Sequence, residues 1–288
     1  MADLTYLKSK YLLIGLPSSG KTTFLAALWH VIQSGDVEGS LRLRKLPENI
    51  EYLNEIRSRW QTCQELNRTV TGAEKSVSML LENPDNRQEI ELIIPDMAGE
   101  SFKSQWRDRQ WSISYDDIVK EAHGCLLFIH SSQIKEPKRI FNADSLVSII
   151  DDGQTPDEEN EITEWNPDDS PTQVILVDLI QFLMFKNTLQ SPFPIAVILA
   201  AWDLVPYQKR NPDEWINQRL PLLSQFFKSN KDLFPSKAFG ISAQGGKIPD
   251  ESDSLLNHRK ASDRILVECT DYQSNDISAP IKWLLENR

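Results

Sequence analysis

Cysteine is scarce in this 288-residue chain. Cys63, Cys125 and Cys269 are odd in number and far apart, which leaves no disulfide framework, and the four histidines stand at no zinc-ligand spacing to them. Reduced thiols and no structural metal cluster are expected. A long hydrophobic run is also missing. The longest, Ile195 to Trp202, is too short to span a bilayer, and the first residues carry no apolar signal-like stretch. Neither a membrane span nor a secretory signal is expected, and the default compartment is the cytoplasm. Positive charge is in deficit, with 31 Lys and Arg against 42 Asp and Glu and a formal charge of -11. That is the wrong sign for coating nucleic acid or anionic lipid, so no direct nucleic-acid binding is expected. Glycine and proline, 11 and 16, are too few for a collagen-like or low-complexity chain. What remains is a globular chain long enough for one elaborated domain or two small ones.

Apolar runs alternate with helical periodicity. Tyr11 to Ile14 meets Gly15-Leu16-Pro17-Ser18-Ser19-Gly20, after which Phe24, Leu25, Leu28 and Ile32 recur at helical steps until Ser34-Gly35. This reads strand, loop, helix. After Pro47, Ile50, Leu53, Ile56, Trp60, Cys63 and Leu66 mark one face of an amphipathic helix. Ser76 to Leu81 and Glu89 to Ile94, joined by the turn formers Asn83-Pro84-Asp85-Asn86, read as a hairpin. Leu126 to Ile129 and Ile195 to Ala201 are continuous apolar runs, as in strands of a parallel sheet covered on both faces. Helices are expected from Ser170-Pro171 and from Asn211-Pro212, the second kinked or split at Pro221; a last strand over 237–241 and a closing helix from Ala279 to Leu285 follow. The alternation predicts an open α/β sheet with ligands beyond the carboxyl ends of its strands.

The segment Gly15-Leu16-Pro17-Ser18-Ser19-Gly20-Lys21-Thr22 matches G-x-x-x-x-G-K-[ST] in full, between a strand and a helix as the mechanism requires. Its glycines let the backbone curl until its N–H groups face phosphate oxygens, and the helix N-terminus adds positive potential. Gly15, Pro17, Ser18, Ser19, Gly20, Lys21, Thr22 and Thr23 are therefore the candidate phosphate site. Lys21 bridges β- and γ-phosphates in such loops, and the Thr22 hydroxyl ligates Mg2+.

A second anchor is Leu92-Ile93-Ile94-Pro95-Asp96-Met97-Ala98-Gly99-Glu100, an apolar strand ending in Asp-x-x-Gly. Asp96 there can hold Mg2+ through water, and the Gly99 N–H can bond the γ-phosphate, so the loop can sense that phosphate. A third is Ala200-Ala201-Trp202-Asp203, in the place of the guanine-reading N-K-x-D pattern but keeping its aspartate alone. A carboxylate at Asp203 can accept from both N1–H and the 2-amino group of guanine, whereas adenine offers no such pair. A capping or loop aspartate is the plainer alternative. Ser242 and Ala243, in Ser242-Ala243-Gln244 after the next strand, stand where a backbone N–H can approach the base O6.

In this order the anchors resemble the translation-factor-like (TRAFAC) class of P-loop GTPases. The run Gly20-Lys21-Thr22-Thr23-Phe24-Leu25-Ala26-Ala27-Leu28-Trp29-His30, with Ala201-Trp202-Asp203, is most similar to the bacterial double-GTPase family. The resemblance spans about Tyr11 to Gln244. It omits an insertion near residues 131–170 and most of the chain after about residue 250. It implies an α/β, three-layer P-loop NTPase fold of the Ras-like kind, a mostly parallel sheet with one antiparallel hairpin and helical insertions. GTP and GDP with Mg2+ are the implied ligands, in one GTPase domain over residues 1–288 with a C-terminal helical extension at about 250–288. The family is associated with multi-gene bacterial conflict or defence systems, in which one GTPase partners another.

A GTPase of this class needs a threonine on its first switch loop to reach Mg2+ and the γ-phosphate. Thr69 and Thr71 both lie in the expected place, and the sequence does not choose between them. Glu100 follows Asp-x-x-Gly where many relatives carry a water-positioning glutamine; its charge is unfavourable near a γ-phosphate, so slow or partner-stimulated hydrolysis is expected. Arg107 is a candidate arginine finger, as is Arg109, against the plainer reading of arginines that are solvated or paired with Asp108 or Asp116. Two alternatives stay open: a P-loop ATPase or kinase, and a nucleotide-binding scaffold that no longer hydrolyses. Much of the acidity is local. Asp151 to Asp169 hold nine carboxylates and no Lys or Arg, so the rest of the chain is nearly neutral. That stretch reads as a solvated loop or as a docking element for a basic partner.

Overall fold

A computed structural model describes residues 9–66, 77–94, 105–110, 113–137, 166–186, 192–270 and 272–287. In chain order these form β1 (Ser9–Gly15), α1 (Lys21–Ser34), β2 (Arg42–Lys45), α2 (Ile50–Gln61), β3 (Val77–Glu82), β4 (Glu89–Ile94), α3 (Ile113–Lys120) and β5 (Cys125–His130). There follow α4 (Thr172–Lys186), β6 (Ile195–Ala200), α5 (Pro212–Arg219), α6 (Pro221–Ser229), β7 (Ser236–Ser242), α7 (Ser252–Leu256), β8 (Leu266–Cys269), β9 (Tyr272–Ser274) and α8 (Ala279–Glu286).

The strands make one nine-stranded sheet in the order β2-β3-β4-β1-β5-β6-β7-β8-β9. Its centre is parallel, β4-β1-β5-β6-β7, and both edges are antiparallel. Side chains of β1 alternate between two cores, because successive strand residues point to opposite faces. Tyr11 and Leu13 pack with α1, α2 and α8, while Leu12 and Ile14 pack with α3, α4, α5 and α6. This gives three layers, helix, sheet and helix, as the sequence predicts. The central strands β5 and β6 are buried along their length, which is why they read as unbroken apolar runs. The Tyr11 hydroxyl donates to the Leu284 carbonyl at 3.0 Å, tying β1 to α8.

The expected hairpin is β3 and β4, in register from Val77 opposite Ile94 to Glu82 opposite Glu89. Pro221 splits the expected helix into α5 and α6, with Leu220 between them in a non-helical conformation. The Asn211 side chain caps α5, accepting from the Glu214 N–H at 3.1 Å. Two corrections concern the sheet edges. The single antiparallel hairpin is joined by β2 and by a second hairpin, β8 and β9. The segment expected as a helical extension thus contributes two strands as well as α7 and α8. β2 is four residues with Leu43 as its one apolar side chain, and β9 is three residues, too short for a periodic signal. All three cysteines are buried and free. Among the described residues no helix is long and apolar enough to cross a membrane.

Candidate nucleotide site

The phosphate loop turns sharply out of β1. A Cβ at Gly15 would stand 2.6 Å from the Phe128 carbonyl oxygen and 2.9 Å from both the Phe128 Cβ and the Ser19 hydroxyl, so only glycine lets β1 pass β5 at this point. Gly20 caps α1 with φ +93°, a left-handed conformation that L side chains rarely adopt. The curl aims the first turn of α1 at the loop interior. Lys21 lies within it: its Nζ donates to the carbonyls of Gly15 and Leu16 at 2.7 and 2.9 Å and to the Ser19 hydroxyl at 3.2 Å. Burial pushes the Lys21 ammonium down to about 8. Thr22, next on α1, takes no part in these internal bonds. Its hard hydroxyl oxygen, one residue after Lys21, suits Mg2+, an ion that takes a few protein oxygens and completes its shell with phosphates and water.

The base side is assembled from the ends of β6 and β7. Ala201 is left-handed (φ +53°, ψ +46°) and starts a tight turn, Trp202–Leu204, that carries Asp203. Ser131 holds the turn's start, its hydroxyl donating to the Ala201 carbonyl at 2.7 Å. Arg210 holds its end through the Asp203 carbonyl at 3.1 Å and the Val205 carbonyl at 2.9 Å. The Asp203 carboxylate accepts from the Ser242 hydroxyl at 2.5 Å, and that hydroxyl in turn accepts from the Gly245 N–H at 3.1 Å. Ala243 is tied from the other side, since its carbonyl accepts from Trp60 Nε1 at 2.9 Å.

These parts enclose a cleft of about 170 Å3, lined among others by Gly20, Thr23, His130, Asp203, Ala243 and Lys247. The predicted Gly20, Thr23, Asp203 and Ala243 therefore meet there, with Ser242 joined to them through Asp203, although they are scattered over more than two hundred residues of sequence. Thr69, Thr71, Asp96, Gly99 and Glu100 lie outside the described residues. Arg107 is exposed on a helical turn over residues 105–108 and does not line the cleft. Arg109 pairs with Asp178 of α4 at 2.5 Å, in place of the expected Asp108 or Asp116, because its left-handed backbone (φ +55°) turns it toward α4. Asp116 pairs with Lys120.

His130 joins the site, although its sequence setting, after an apolar run and with no nucleophile or metal partner nearby, suggests only a structural or capping group. It closes β5, lines the cleft, and its Nδ1 accepts from the Ser132 N–H at 3.3 Å. Burial holds it below the ordinary histidine range against the opposing pull of Asp203, which keeps it neutral beside the carboxylate. A signal existed, an ionisable residue at the carboxyl end of a buried parallel strand. His30 is a packing residue, its ring 5.0 Å from that of Trp60.

A curled glycine loop feeding a helix, with an aspartate turn two strands away, defines a P-loop nucleotide-binding domain. The family model of Double-GTPase 1 matches residues 12–284, and the chain belongs to that family, whose members are GTP-binding P-loop proteins. No protein of curated function matches. Among solved structures, the chain is similar to the S. cerevisiae Ski7 GTPase-like domain bound to GTP (12% identity, TM-score 0.45), covering 98% of this chain and 50% of that one. The same domain bound to GDP and inorganic phosphate gives 14% and 0.46, with the same coverage. The bacterial selenocysteine-specific elongation factor EF-Sec gives 12% and 0.40, covering 98% of this chain and 29% of that one. The chain thus spans half or less of the solved structures it matches.

Proposed function

We propose that this chain is a single Mg2+-dependent GTPase domain whose nucleotide state acts as a switch, with hydrolysis that is slow or stimulated by a protein partner. The observation that carries the reading is that Asp203, held by the Ser242 hydroxyl at 2.5 Å, lines the same cleft as Gly20 of the phosphate loop. One Asp203 oxygen is held by the hydroxyl, which orients the carboxylate to accept guanine N1–H and the 2-amino group. On the phosphate side, oxygens entering the loop replace the Gly15 and Leu16 carbonyls as partners of the Lys21 ammonium. Mg2+, when bound at Thr22, would neutralise charge on the β- and γ-phosphates. Asp96 and either Thr69 or Thr71 are the proposed further metal residues, Gly99 the γ-phosphate contact, and Glu100 and Arg107 the residues that set the hydrolysis rate. The proposed partner is a second GTPase or an effector of the same bacterial system.

Titration of labelled GTP and ATP against wild type, Lys21→Ala and Asp203→Ala tests this. GTP is expected to bind at least tenfold more tightly than ATP, with Lys21→Ala losing both nucleotides and Asp203→Ala losing the preference. Binding of Lys21→Ala at wild-type strength would sink the P-loop reading, and a tenfold preference for ATP would sink the guanine reading. Single-turnover hydrolysis at high enzyme concentration separates a slow GTPase from a scaffold.

A further inference from the structure

We propose that Glu268, on β8 between β7 and the edge strand β9, is a positioning residue that fixes Asp203 through the indole of Trp202, so that guanine selection depends on this added strand; the inference rests on the guanine reading above. Ala200 and Ala201 carry no polar side chain to brace the turn that presents Asp203. Trp202, the residue directly before Asp203, supplies an anchor instead. It is fully buried, it meets Trp215 edge-on with ring centroids 6.3 Å apart, and its Nε1 donates to Glu268 Oε2 at 2.5 Å. A hydrogen bond to a carboxylate is charge-assisted, stronger than a neutral one.

The surroundings are built around this bond. Gly240 of β7 pairs directly with Glu268 across the β7–β8 ladder, and a Cβ at Gly240 would collide with the indole ring. Glycine is poor in a strand interior unless something must come close. Here the close object is Trp202. Glu268 itself is only 9% exposed and makes no ion pair among the described residues. A desolvated carboxylate is costly, and a β-branched residue would serve the sheet better. The acceptor is therefore there for the indole. With Ser242 at the end of β7 holding the Asp203 side chain and Glu268 of β8 holding the preceding residue, the recognition turn is pinned from two adjacent strands. Loosening either pin lets the carboxylate swing, which costs most for a ligand that donates two hydrogen bonds in fixed geometry.

The test uses GTP and ITP, which lacks the 2-amino donor, as probes on the full chain, with thermal melting to verify the fold. Wild type is expected to favour GTP over ITP. Glu268→Leu and Trp202→Phe should each shrink that preference roughly tenfold by weakening GTP far more than ITP. Glu268→Gln, which keeps an acceptor, should restore it to within about threefold, and the double variant Trp202→Phe/Glu268→Leu should be no worse than either single one. Parallel weakening of GTP and ITP in both single variants would make Glu268 merely structural and overturn the proposal. If wild type and Asp203→Ala show the same GTP to ITP ratio, the guanine reading itself fails and takes this proposal with it. Trp202→Phe covers the case in which Glu268→Leu does not fold.

Discussion

Gly20 and Ala200 meet with no side chain between them: a methyl on Gly20 would stand 2.6 Å from the Ala200 Cβ. The phosphate loop and the end of β6 are thus in direct van der Waals contact, which couples the two halves of the nucleotide cleft. Gly20→Ala adds that clash to a backbone at φ +93°. Strain of about 1–2 kcal/mol from the left-handed backbone and about 1–3 kcal/mol from overpacking should lower the melting temperature by several degrees. GTP affinity should fall more than tenfold. Adding Ala200→Gly relieves the contact and leaves the backbone strain, so it should recover part of the stability, measured by differential scanning fluorimetry. Full recovery would show that the backbone conformation costs nothing here.

Lys21 makes GTP binding pH-dependent in a definite direction. Burial holds its pKa at about 8 in the folded chain, against 10.5 for the free side chain. Between those values the unfolded chain binds more protons than the folded one, so the nucleotide-free protein should gain stability as pH rises from about 8 to 10. Phosphates favour the charged ammonium and raise its pKa again. GTP binding should therefore take up a fraction of a proton above about pH 8, and affinity should fall as pH rises through that window. Titration calorimetry in buffers of different ionisation enthalpy reads the uptake directly. Lys21→Arg, charged throughout, should show none.

The fold of the candidate phosphate site was legible because all its proposed residues lie within nine consecutive positions, Gly15 to Thr23, and need one local fold, strand to loop to helix. Asp203 and Ser242 were legible for a related reason: each ends a buried apolar strand, and in a parallel sheet those ends converge. Glu268 was not. It sits in a four-residue strand with no periodic signal, and its partner Trp202 lies 66 residues away. Nothing in Leu266-Val267-Glu268-Cys269 distinguishes a solvated glutamate from a buried one until β8 is laid against β7. β2 was hidden by its composition, since Arg42, Arg44 and Lys45 suit an edge strand but carry no apolar alternation. Arg109 shows the opposite limit: nearby sequence offers Asp108 and Asp116 as partners or leaves the arginine solvated, and the fold brings it to Asp178 instead.

That pairing has a kinetic consequence. Arg109 is held to α4 by Asp178 and lies over the Trp106 ring of its own helical turn at 5.4 Å. The arginine side chain is more than half exposed, so the ion pair contributes little; exposed pairs are typically worth about 0–1 kcal/mol. Arg109→Ala is expected to leave the single-turnover GTP hydrolysis rate unchanged and to shift the melting temperature by no more than about 4 °C. A tenfold loss of rate would return Arg109 to the catalytic candidates.

The loop that carries Ser242 and Ala243 is braced from α2. Trp60 Nε1 donates to the Ala243 carbonyl at 2.9 Å, and the Arg264 guanidinium lies 4.4 Å over the same indole, donating to the Trp60 carbonyl at 3.0 Å and to Cys63 Sγ at 2.7 Å. Trp60 is fully buried, so Trp60→Phe keeps most of the packing and removes one buried donor, leaving the Ala243 carbonyl unpaired. That should cost about 1–3 kcal/mol of stability. The looser loop should also release nucleotide faster, because Ser242 loses its fixed bearing on Asp203. Stopped-flow displacement of a fluorescent GTP analogue should show an increased dissociation rate with an association rate little changed. Equal dissociation rates for Trp60→Phe and wild type, with the stability loss present, would confine this brace to folding.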